Sequence, residues 1–319
     1  LNQLEASQLV RLSESSALAG DMEFVFKHAL VQEMAYATLL KSTRAELHRR
    51  VAETLEAFDS NNQDAAVLAM HCALAGLHKK AFSYAMQAGD AARARYANQE
   101  ALLHYEAALA AATQLTPADG VPASVITTAY AHRGGVLQLM GNNAGAIDAY
   151  RDMIAFAERA GDSAVRAGGL NLLNRVRIVT DGARSVALDD LDAALTLAQE
   201  SEDTLLTGNA LWNFGLYYRF LDPLKAAGYL QQAHDVAQPH AATDEAQRFL
   251  AANAQLDSMI AMIVAGRFRR ALDYGRRAMD EFRALDNKHM LADAIGGVSL
   301  ALYYQGQVAE SLALGDEGV

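Results

Sequence analysis

The stretch GNNAGAIDAYRDMIAFAERA, residues 141–160, decides the fold, because it places a turn at Gly141-Asn142 directly before an amphipathic helix. The apolar stripe of this helix consists of Ile147, Tyr150, Ile154 and Ala157. These residues recur at helical spacing, and a single helical hairpin cannot bury such a stripe alone. The stretch therefore predicts a hairpin that must stack on neighbouring hairpins.

Equivalent turns recur along the chain at a near-constant period. They begin at Gly141, Gly182, Asp222, Gly266 and Gly306, which are 41, 40, 44 and 40 residues apart. Five positions after each turn stands a small residue, where we expect two helices to approach closely: Ala146, Ala187, Ala227, Ala271 and Ser311. An earlier turn at Gly76 follows the same rule with Ala81. The period predicts an all-α fold, a TPR-like superhelix of about six to seven helical hairpins.

The residues seven positions before each turn also fit this architecture. They are Gly134, Arg175, Gly215, Met259 and Ser299. Three of the five are small, as the first helix of a TPR unit prefers. We expect the first helices to line the concave face of the superhelix, which makes that face a binding surface.

Composition limits the classes of function. The net charge is −11 and the pI is about 5.3, so the phosphate-neutralising surface of a nucleic-acid-binding protein is missing. The single cysteine, Cys72, excludes an internal disulfide and fits a reducing compartment as a buried thiol. We expect a cytoplasmic protein that binds no nucleic acid.

Because the chain starts inside an apparent helix and ends at Gly318-Val319 partway through another, we expect it to be a segment of a larger protein. The chain begins at Leu1 without a basic and apolar leader, and its longest apolar runs are far shorter than a membrane span. It therefore gives no sign of export or of a membrane partner.

The first sixty residues have a different sequence pattern from the repeats. Residues 11–13 and 22–26 predict two strands of a short β-hairpin, with Gly20-Asp21 in its loop. A helix before the hairpin and another after it predict the C-terminal remnant of a winged-helix module. We therefore expect one domain at 1–60 and the repeats at 61–319, with an internal linker at 115–123, where prolines and glycine cluster.

Residues 26–50 join these two parts and read FKHALVQEMAYATLLKSTRAELHRR. The first helix of this joint carries the apolar residues Leu30, Met34, Ala37 and Leu40. A second helix, from about residue 43 to residue 58, is predicted to bury Leu47, Val51, Leu55 and Phe58. Both helices are predicted from the 3.6-residue spacing alone.

The same stretch carries a resemblance to a known family. Its FKHALVQEMAY and LLKSTRAELHRR runs, together with AGDAARARYANQEALLHYEAAL at residues 88–109, resemble the region that links a winged helix to TPR-like repeats in bacterial STAND-type signalling ATPases. Members of that family carry a class III adenylate or guanylate cyclase, or a transcription-regulator domain, at their N-terminus. The resemblance is specific over about the first 110 residues, and it implies a sensor module without catalytic activity of its own.

The resemblance also implies a role for His28. In STAND ATPases a histidine at a strand-to-helix junction of the winged helix can contact the phosphates of the bound nucleotide. His28 follows the Phe24-Val25-Phe26 strand and precedes a helix N-terminus, which favours a phosphate. This sequence has Ala29 where the related histidine motif has an aspartate. The alternative is that His28 only caps the helix or fills the hinge.

Counting back from the turns predicts which residues of the first helices meet a partner in the groove. They are Gln138, Asn209, Trp212, Arg219, Asn253, Asp293 and Tyr303. Trp212 is the only tryptophan, and aromatic and arginine side chains are the usual anchors of binding surfaces. The alternative reading of Trp212 is a core residue, because Phe214 and Leu216 are close to it in sequence.

No chemical motif appears. The sequence lacks a phosphate loop, a dinucleotide fingerprint and a zinc pair. The acidic group Asp189, Asp190 and Asp192 is explained by the start of a helix, whose dipole favours carboxylates. We therefore expect no metal, no cofactor and no enzymatic activity in this segment. The groove is predicted to bind a protein, a peptide or another domain of the same chain, or, as an alternative, a small-molecule inducer.

Overall fold

The structure is a computed structural model, and it describes residues 2–13, 22–58 and 65–317. Within these residues the regular secondary structure is helical, mostly α-helix with short 3-10 turns, apart from one two-stranded hairpin. It divides into two compact units, Leu1–Ala129 and Tyr130–Val319. The predicted boundary at residue 60 lies in residues 59–64, outside the described residues, so the division into a winged-helix end and a repeat domain stays a prediction.

The first unit begins with the hairpin and continues as helices. Its elements are α1 (Asn2–Ala6), β1 (Val10–Leu12), β2 (Phe24–Phe26), α2 (Ala29–Thr38), α3 (Lys41–Phe58), α4 (Ala65–Leu74), α5 (His78–Ala94), α6 (Asn98–Ala112), a short 3-10 turn (Pro117–Asp119) and α7 (Ala123–Leu139), which continues into the second unit. The predicted linker at 115–123 thus contains the 3-10 turn and the start of α7.

The predicted hairpin is present. Strands β1 and β2 are antiparallel, with Val10 opposite Phe26 and Leu12 opposite Phe24. The loop predicted at Gly20-Asp21 lies outside the described residues.

Helix α2 forms where the sequence predicts it but has no buried residue. Leu30 and Met34 are 72% and 71% exposed, although their spacing predicts a buried stripe. Helix α3 also forms, and the side chain of Phe58 at its end lies outside the described residues.

The buried face of α3 differs from the predicted one. Leu47 and Val51 are 42% and 40% exposed, whereas Ala52 is buried. His48 hydrogen-bonds with His71 on α4, so α3 meets α4 through the face that carries His48 and Ala52. Of the predicted stripe, Leu55 is partly buried, whereas Leu47 and Val51 lie to one side of the buried face, because one residue turns a helix by about 100°.

The second unit is built from consecutive helix pairs. After the C-terminal part of α7 it contains α8 (Asn143–Ala160), α9 (Ser163–Asp181), α10 (Leu188–Glu200), α11 (Thr204–Tyr218), α12 (Pro223–Ala237), α13 (Glu245–Val264), α14 (Phe268–Ala284), α15 (Lys288–Tyr304) and α16 (Val308–Glu317). The odd-numbered helices of this series are the first helices of the pairs, and the even-numbered helices are the second.

Asparagine and aspartate side chains cap many of these helices. The cap accepts a hydrogen bond from a backbone N–H two or three residues further on, in the manner that favours these residue types at helix starts. The caps are Asn142, Asp162, Asp203, Asp222, Asp244 and Asn287. Because Asp222 is itself the cap of α12, the fully buried small residue of that helix is Ala226, and the predicted Ala227 is only partly buried.

The turn after α9 also departs from the predicted pattern. Gly182 follows α9 in a positive-φ conformation, a 3-10 turn occupies Ala183–Ser185, and α10 begins only at Leu188. Ala187 is therefore an exposed N-cap residue, and Leu191 takes the buried position. Four residues, 183–186, separate Gly182 from this N-cap, whereas Asn142 follows Gly141 directly, and this explains why the uniform count fails at this repeat.

Glycines allow the two helices of a pair to touch. A Cβ atom on Gly134 would lie 2.3 Å from the ring of Tyr150, and one on Gly215 would lie 2.4 Å from Leu230. These contacts agree with the close approach predicted at both positions. At Met259 the arrangement is reversed, since the first helix supplies the large side chain and glycines stand opposite it.

Candidate functional site

Buried polar side chains concentrate on α9, α11 and α13, the first helices of three successive pairs. Among the described residues they are Thr127 on α7 and, on these three helices, Asn171, Asn174, Asn213, Gln247, Asn253, Gln255, Asp257 and Ser258. Buried polar groups are normally hydrogen-bonded, because an unpaired one loses its water without replacement. The three helices therefore form the candidate site.

Two asparagines connect α9 to α11. The Nδ2 of Asn171 donates to the carbonyl oxygen of Leu206 at 3.0 Å, and the Nδ2 of Asn213 donates to the carbonyl oxygen of Asn171 at 2.9 Å. The oxygen of the Asn213 side chain remains available and accepts from Nε of Arg175 at 3.2 Å. The asparagines therefore hold the guanidinium of Arg175 in place.

Arg175 occupies a position at which the spacing predicts a small residue. Its neighbour Asn174 is the residue that faces α10, and the Asn174 Nδ2 donates to the carbonyl oxygen of Asp190 at 3.2 Å. Arg175 points instead to α11, where its Nη2 donates to Oδ1 of Asn209 at 2.6 Å.

Five side chains come together on these helices, and we call them the Trp212 cluster: Arg175, Asn209, Trp212, Arg219 and Asp257. The Cζ of Arg175 lies 4.1 Å from the centroid of the indole ring, within the range of a cation–π contact. The indole Nε1 donates to Oδ2 of Asp257 at 2.7 Å, and Nη1 of Arg219 donates to Oδ1 at 2.6 Å. The cluster thus links all three helices through one aromatic ring and one carboxylate.

Burial shapes the electrostatics of the cluster. The side chain of Asp257 is 8% exposed, and burial raises the pKa of its carboxyl group, which the charges of Arg219 and Arg175 oppose. Burial also lowers the pKa of Arg175 to about 10, opposed by Tyr150 and Asp257. Arg175 therefore remains a cation at neutral pH. Removal of one member of a buried ion pair, such as Arg219 with Asp257, typically lowers the free energy of unfolding by about 3–5 kcal/mol.

Three of the seven residues predicted for the groove belong to this cluster: Asn209, Trp212 and Arg219. Trp212 and Arg219 are both half-buried, so each packs inside the unit and keeps an accessible edge. Trp212 therefore fits neither the pure core interpretation nor the pure groove interpretation.

The other four predicted residues lie outside the cluster. Asn253 is buried on α13 and its Nδ2 donates to the carbonyl oxygen of Phe249. Gln138 accepts from the hydroxyl of Tyr150 at 2.7 Å, and Asp293 and Tyr303 are exposed on α15. Their predicted contact with a partner stays a prediction.

Sequence reasoning missed Arg175 and Asp257 as members of the site. A signal for Asp257 was present, because it is the only charged residue in the mostly apolar run LDSMIAMIV, residues 256–264. An unpaired carboxylate in such a helix is costly, so a cationic partner was to be expected. Its identity depends on packing between repeats, which the spacing alone does not give.

His28 precedes α2, as the sequence predicts. Its backbone is extended, its carbonyl oxygen accepts from the N–H groups of Val31 and Gln32, and its side chain makes no capping hydrogen bond. The exposed imidazole is therefore not used as the cap that the alternative interpretation proposed.

A chain of three aromatic side chains crosses the joint between α2, α3 and α4. The hydroxyl of Tyr36 lies 2.8 Å from Nε2 of His48, and Nδ1 of His48 lies 2.8 Å from Nδ1 of His71. Burial and the neighbouring His48 lower the pKa of His71. Arg44 packs over the Tyr36 ring at 4.8 Å.

The first unit also contains an apolar cavity of about 600 Å³ between α5 and the start of α7. Its apolar lining includes Phe82, Met86, Val121, Pro122 and Val125. Cavities of 300–1,000 Å³ are of the size that small molecules occupy.

Metal-ligand clusters and membrane-spanning helices are both missing from the part of the chain that the structure describes. In that part, no three His, Cys, Asp or Glu side chains meet in a way that could hold a metal ion. In the same part, every helix is too short or too polar to cross a membrane.

No protein-family model and no curated protein sequence matches the chain. Its fold does match solved structures. A Rap protein in complex with Competence and Sporulation Factor has 15% identity and a TM-score of 0.55, over 91% of this chain and 74% of that one. A STAND protein with a tetratricopeptide repeat sensor from Pyrococcus horikoshii has 13% identity and a TM-score of 0.53, over 97% of this chain and 50% of that one.

A third match is the apo form of RapI, with 14% identity and a TM-score of 0.52, over 74% of this chain and 95% of that one. At such identities the likeness establishes the fold, and the predicted all-α TPR-like repeat architecture is confirmed. The chain spans half the length of the STAND protein.

Proposed function

We propose that this segment is a non-catalytic interaction module that binds a protein or peptide segment on α9, α11 and α13. The Trp212 cluster carries the proposal, because it combines an aromatic ring and two arginines, the residue types that dominate binding hot spots. Hydrogen bonds already fix these side chains within the unit, so little side-chain entropy is lost when a partner binds.

We propose different roles for the remaining predicted residues. Exposed Asp293 and Tyr303 on α15 and Gln138 on α7 are proposed to extend the contact to neighbouring repeats. Asn253, buried beside the cluster on α13, is proposed to support its helix rather than to touch the partner. The matched Rap protein was solved with Competence and Sporulation Factor, and the matched STAND protein carries its repeats as a sensor, which supports a binding role for this fold.

Selection from a peptide display library tests the proposal. We expect selected peptides to change the fluorescence of Trp212, the only tryptophan, and to bind an Arg219→Glu variant at least about tenfold more weakly. The matched control is Arg276→Glu on α14, because Arg276 is an exposed arginine of the same unit in a surface ion pair with Glu310. Equal binding by both variants would contradict the assignment of the surface.

The wider proposal is that the module belongs to a cytoplasmic signalling ATPase of the STAND type, with a cyclase or a transcription-regulator domain upstream. Partner binding would bias a closed-to-open equilibrium through residues 26–50, which requires different affinities for the two states. In this proposal the exposed imidazole of His28 contacts a nucleotide phosphate held by the upstream ATPase domain. Nucleotide retention by the full-length protein with His28→Ala decides the point, and unchanged retention refutes it.

A second candidate function is the binding of a small-molecule inducer. The apolar cavity between α5 and α7 favours it, since its volume suits a small ligand and its lining is mostly apolar. Mass spectrometry of the denatured purified protein distinguishes the two functions. A stoichiometric apolar molecule that is lost from a Val125→Arg variant supports the inducer, and its absence from the wild-type protein, together with a selected peptide, supports the interaction module.

A further inference from the structure

We infer that the partner segment presents a carboxylate, next to apolar side chains, to the Trp212 cluster. The inference rests on the proposed function and deepens it, because it names the chemistry that the surface recognises. It is carried by the charges, the unused hydrogen-bond donors and the apolar surroundings of the cluster.

The cluster has more positive than negative charge. Arg175 and Arg219 supply two guanidinium groups, whereas Asp257 supplies one carboxylate that lies close to both. The ionisable neighbours that act on Arg175 are Asp257 and Tyr150, and a tyrosine is neutral at physiological pH. At least one positive charge is therefore left without an opposing charge in the cluster.

The two arginines also offer more N–H donors than the cluster has anionic acceptors. Arg175 donates to the amide oxygens of Asn209 and Asn213, which are neutral acceptors. Nε of Arg219 is shielded from solvent and has no hydrogen-bond partner among the described residues, while Nη1 is bound to Asp257. A guanidinium offers its N–H groups as a planar fork that matches the two oxygens of a carboxylate. Because Nε is shielded, it is the accessible edge of Arg219, whose side chain is 22% exposed, that can meet an anionic oxygen of the partner.

The surroundings of the cluster define what accompanies the carboxylate. Val179 lies one helical turn beyond Arg175 on α9 and is 66% exposed. Phe220 is also 66% exposed, and its ring lies 4.9 Å from the Cζ of Arg219. Exposed apolar groups beside a cation favour an occupant that combines an acidic group with apolar side chains. A peptide segment in which such residues alternate has this chemistry.

The acidic character of the whole chain makes this inference easy to test. A net charge of −11 repels acidic peptides in general, so an acidic peptide that binds reports a local cationic site. The probes are three blocked pentapeptides of alternating composition: leucine with aspartate, leucine with asparagine and leucine with lysine. Binding to the complete chain is measured by Trp212 fluorescence and calorimetry.

We expect the aspartate peptide to bind at least about tenfold more tightly than the other two. Arg219→Gln is expected to abolish that preference, and Asp257→Asn to strengthen binding of the aspartate peptide by roughly threefold to tenfold, because the internal competitor for the arginines is neutralised. Arg276→Gln, at an exposed surface pair, serves as the control and is expected to bind like the wild type. Circular dichroism verifies that each variant is folded.

The peptide comparison on the wild-type chain decides the inference even where a variant fails to fold. Equal binding of the aspartate and asparagine peptides, preference for the lysine peptide, or binding by none of the three overturns it. The proposed function fails separately, if the display selection yields no peptide that depends on Arg219. A selected peptide without acidic residues would retain the function and reject the carboxylate.

Discussion

At the scale of single residues, one glycine shows how tightly the helix pairs are packed. A Cβ on Gly215 would lie 2.4 Å from Leu230, which is itself fully buried. Gly215→Ala is therefore expected to destabilise the protein by about 1–3 kcal/mol, since overpacking outweighs the better helix propensity of alanine. The measurement is the free energy of opening of the second unit, obtained from native-state hydrogen exchange of its amides.

Gly228 on α12 provides the matched control for that substitution. Nothing lies within 4 Å of a Cβ built there, so Gly228→Ala is expected to stabilise the protein by about 0.5–1 kcal/mol through helix propensity alone. The same substitution on adjacent helices should thus change the stability of the protein in opposite directions. Stabilisation by both substitutions would show that the contact with Leu230 relaxes without cost.

At the scale of secondary-structure elements, the joint between α2, α3 and α4 contains a pH-dependent contact. Nδ1 of His48 and Nδ1 of His71 share a single proton across 2.8 Å, so both nitrogens cannot carry a proton and keep the contact. The folded state lowers the pKa of His71 mainly through burial, and the unfolded chain therefore takes up this proton more readily. Stability is full above the unfolded pKa of about 6.5 and declines as the pH falls through the lowered folded pKa.

We expect His71→Phe to reduce this dependence of the melting temperature on pH between about pH 7 and pH 5. No neighbouring group replaces the lost imidazole. Tyr36 contacts His48, and Arg44 packs on the Tyr36 ring. His240→Phe is the control, since His240 is an exposed residue of the second unit. If the melting temperature of His71→Phe depended on pH as strongly as that of the wild type, the acid sensitivity would come from carboxylates elsewhere.

The same elements show how far the sequence predicts this fold. Turn residues and helical spacing predict the helices of residues 26–50 and the repeat pairs, because caps, glycines and apolar periodicity are local properties. The buried face of α3 was wrong by one residue, since Ala52 rather than Val51 packs inward, and packing against α4 decides this. The pairing of Trp212 with Asp257 is likewise set by the contact between α11 and α13, which residue spacing does not determine.

At the scale of the whole molecule, stacked repeats bury their surfaces mainly against their neighbours. Each helix pair contributes its own stability and an interface with the next pair, so a local defect spreads only as far as adjacent interfaces carry it. The chain also divides into two compact units by its internal contacts. Both facts argue against a single all-or-none unfolding transition.

Two equivalent glycines, one in each unit, test whether the units unfold separately. A Cβ on Gly89 would lie 2.6 Å from the ring of Tyr105 in the first unit, just as one on Gly215 would meet Leu230 in the second. We expect Gly89→Ala to raise hydrogen exchange in α4–α6 and Gly215→Ala to raise it in α11–α13, each leaving the other unit protected. Mass spectrometry of deuterated peptides resolves the two regions. If either substitution raised exchange throughout the chain, the units would unfold as one, and a partner bound at the Trp212 cluster would then stabilise the joint at residues 26–50 simply by stabilising the whole molecule.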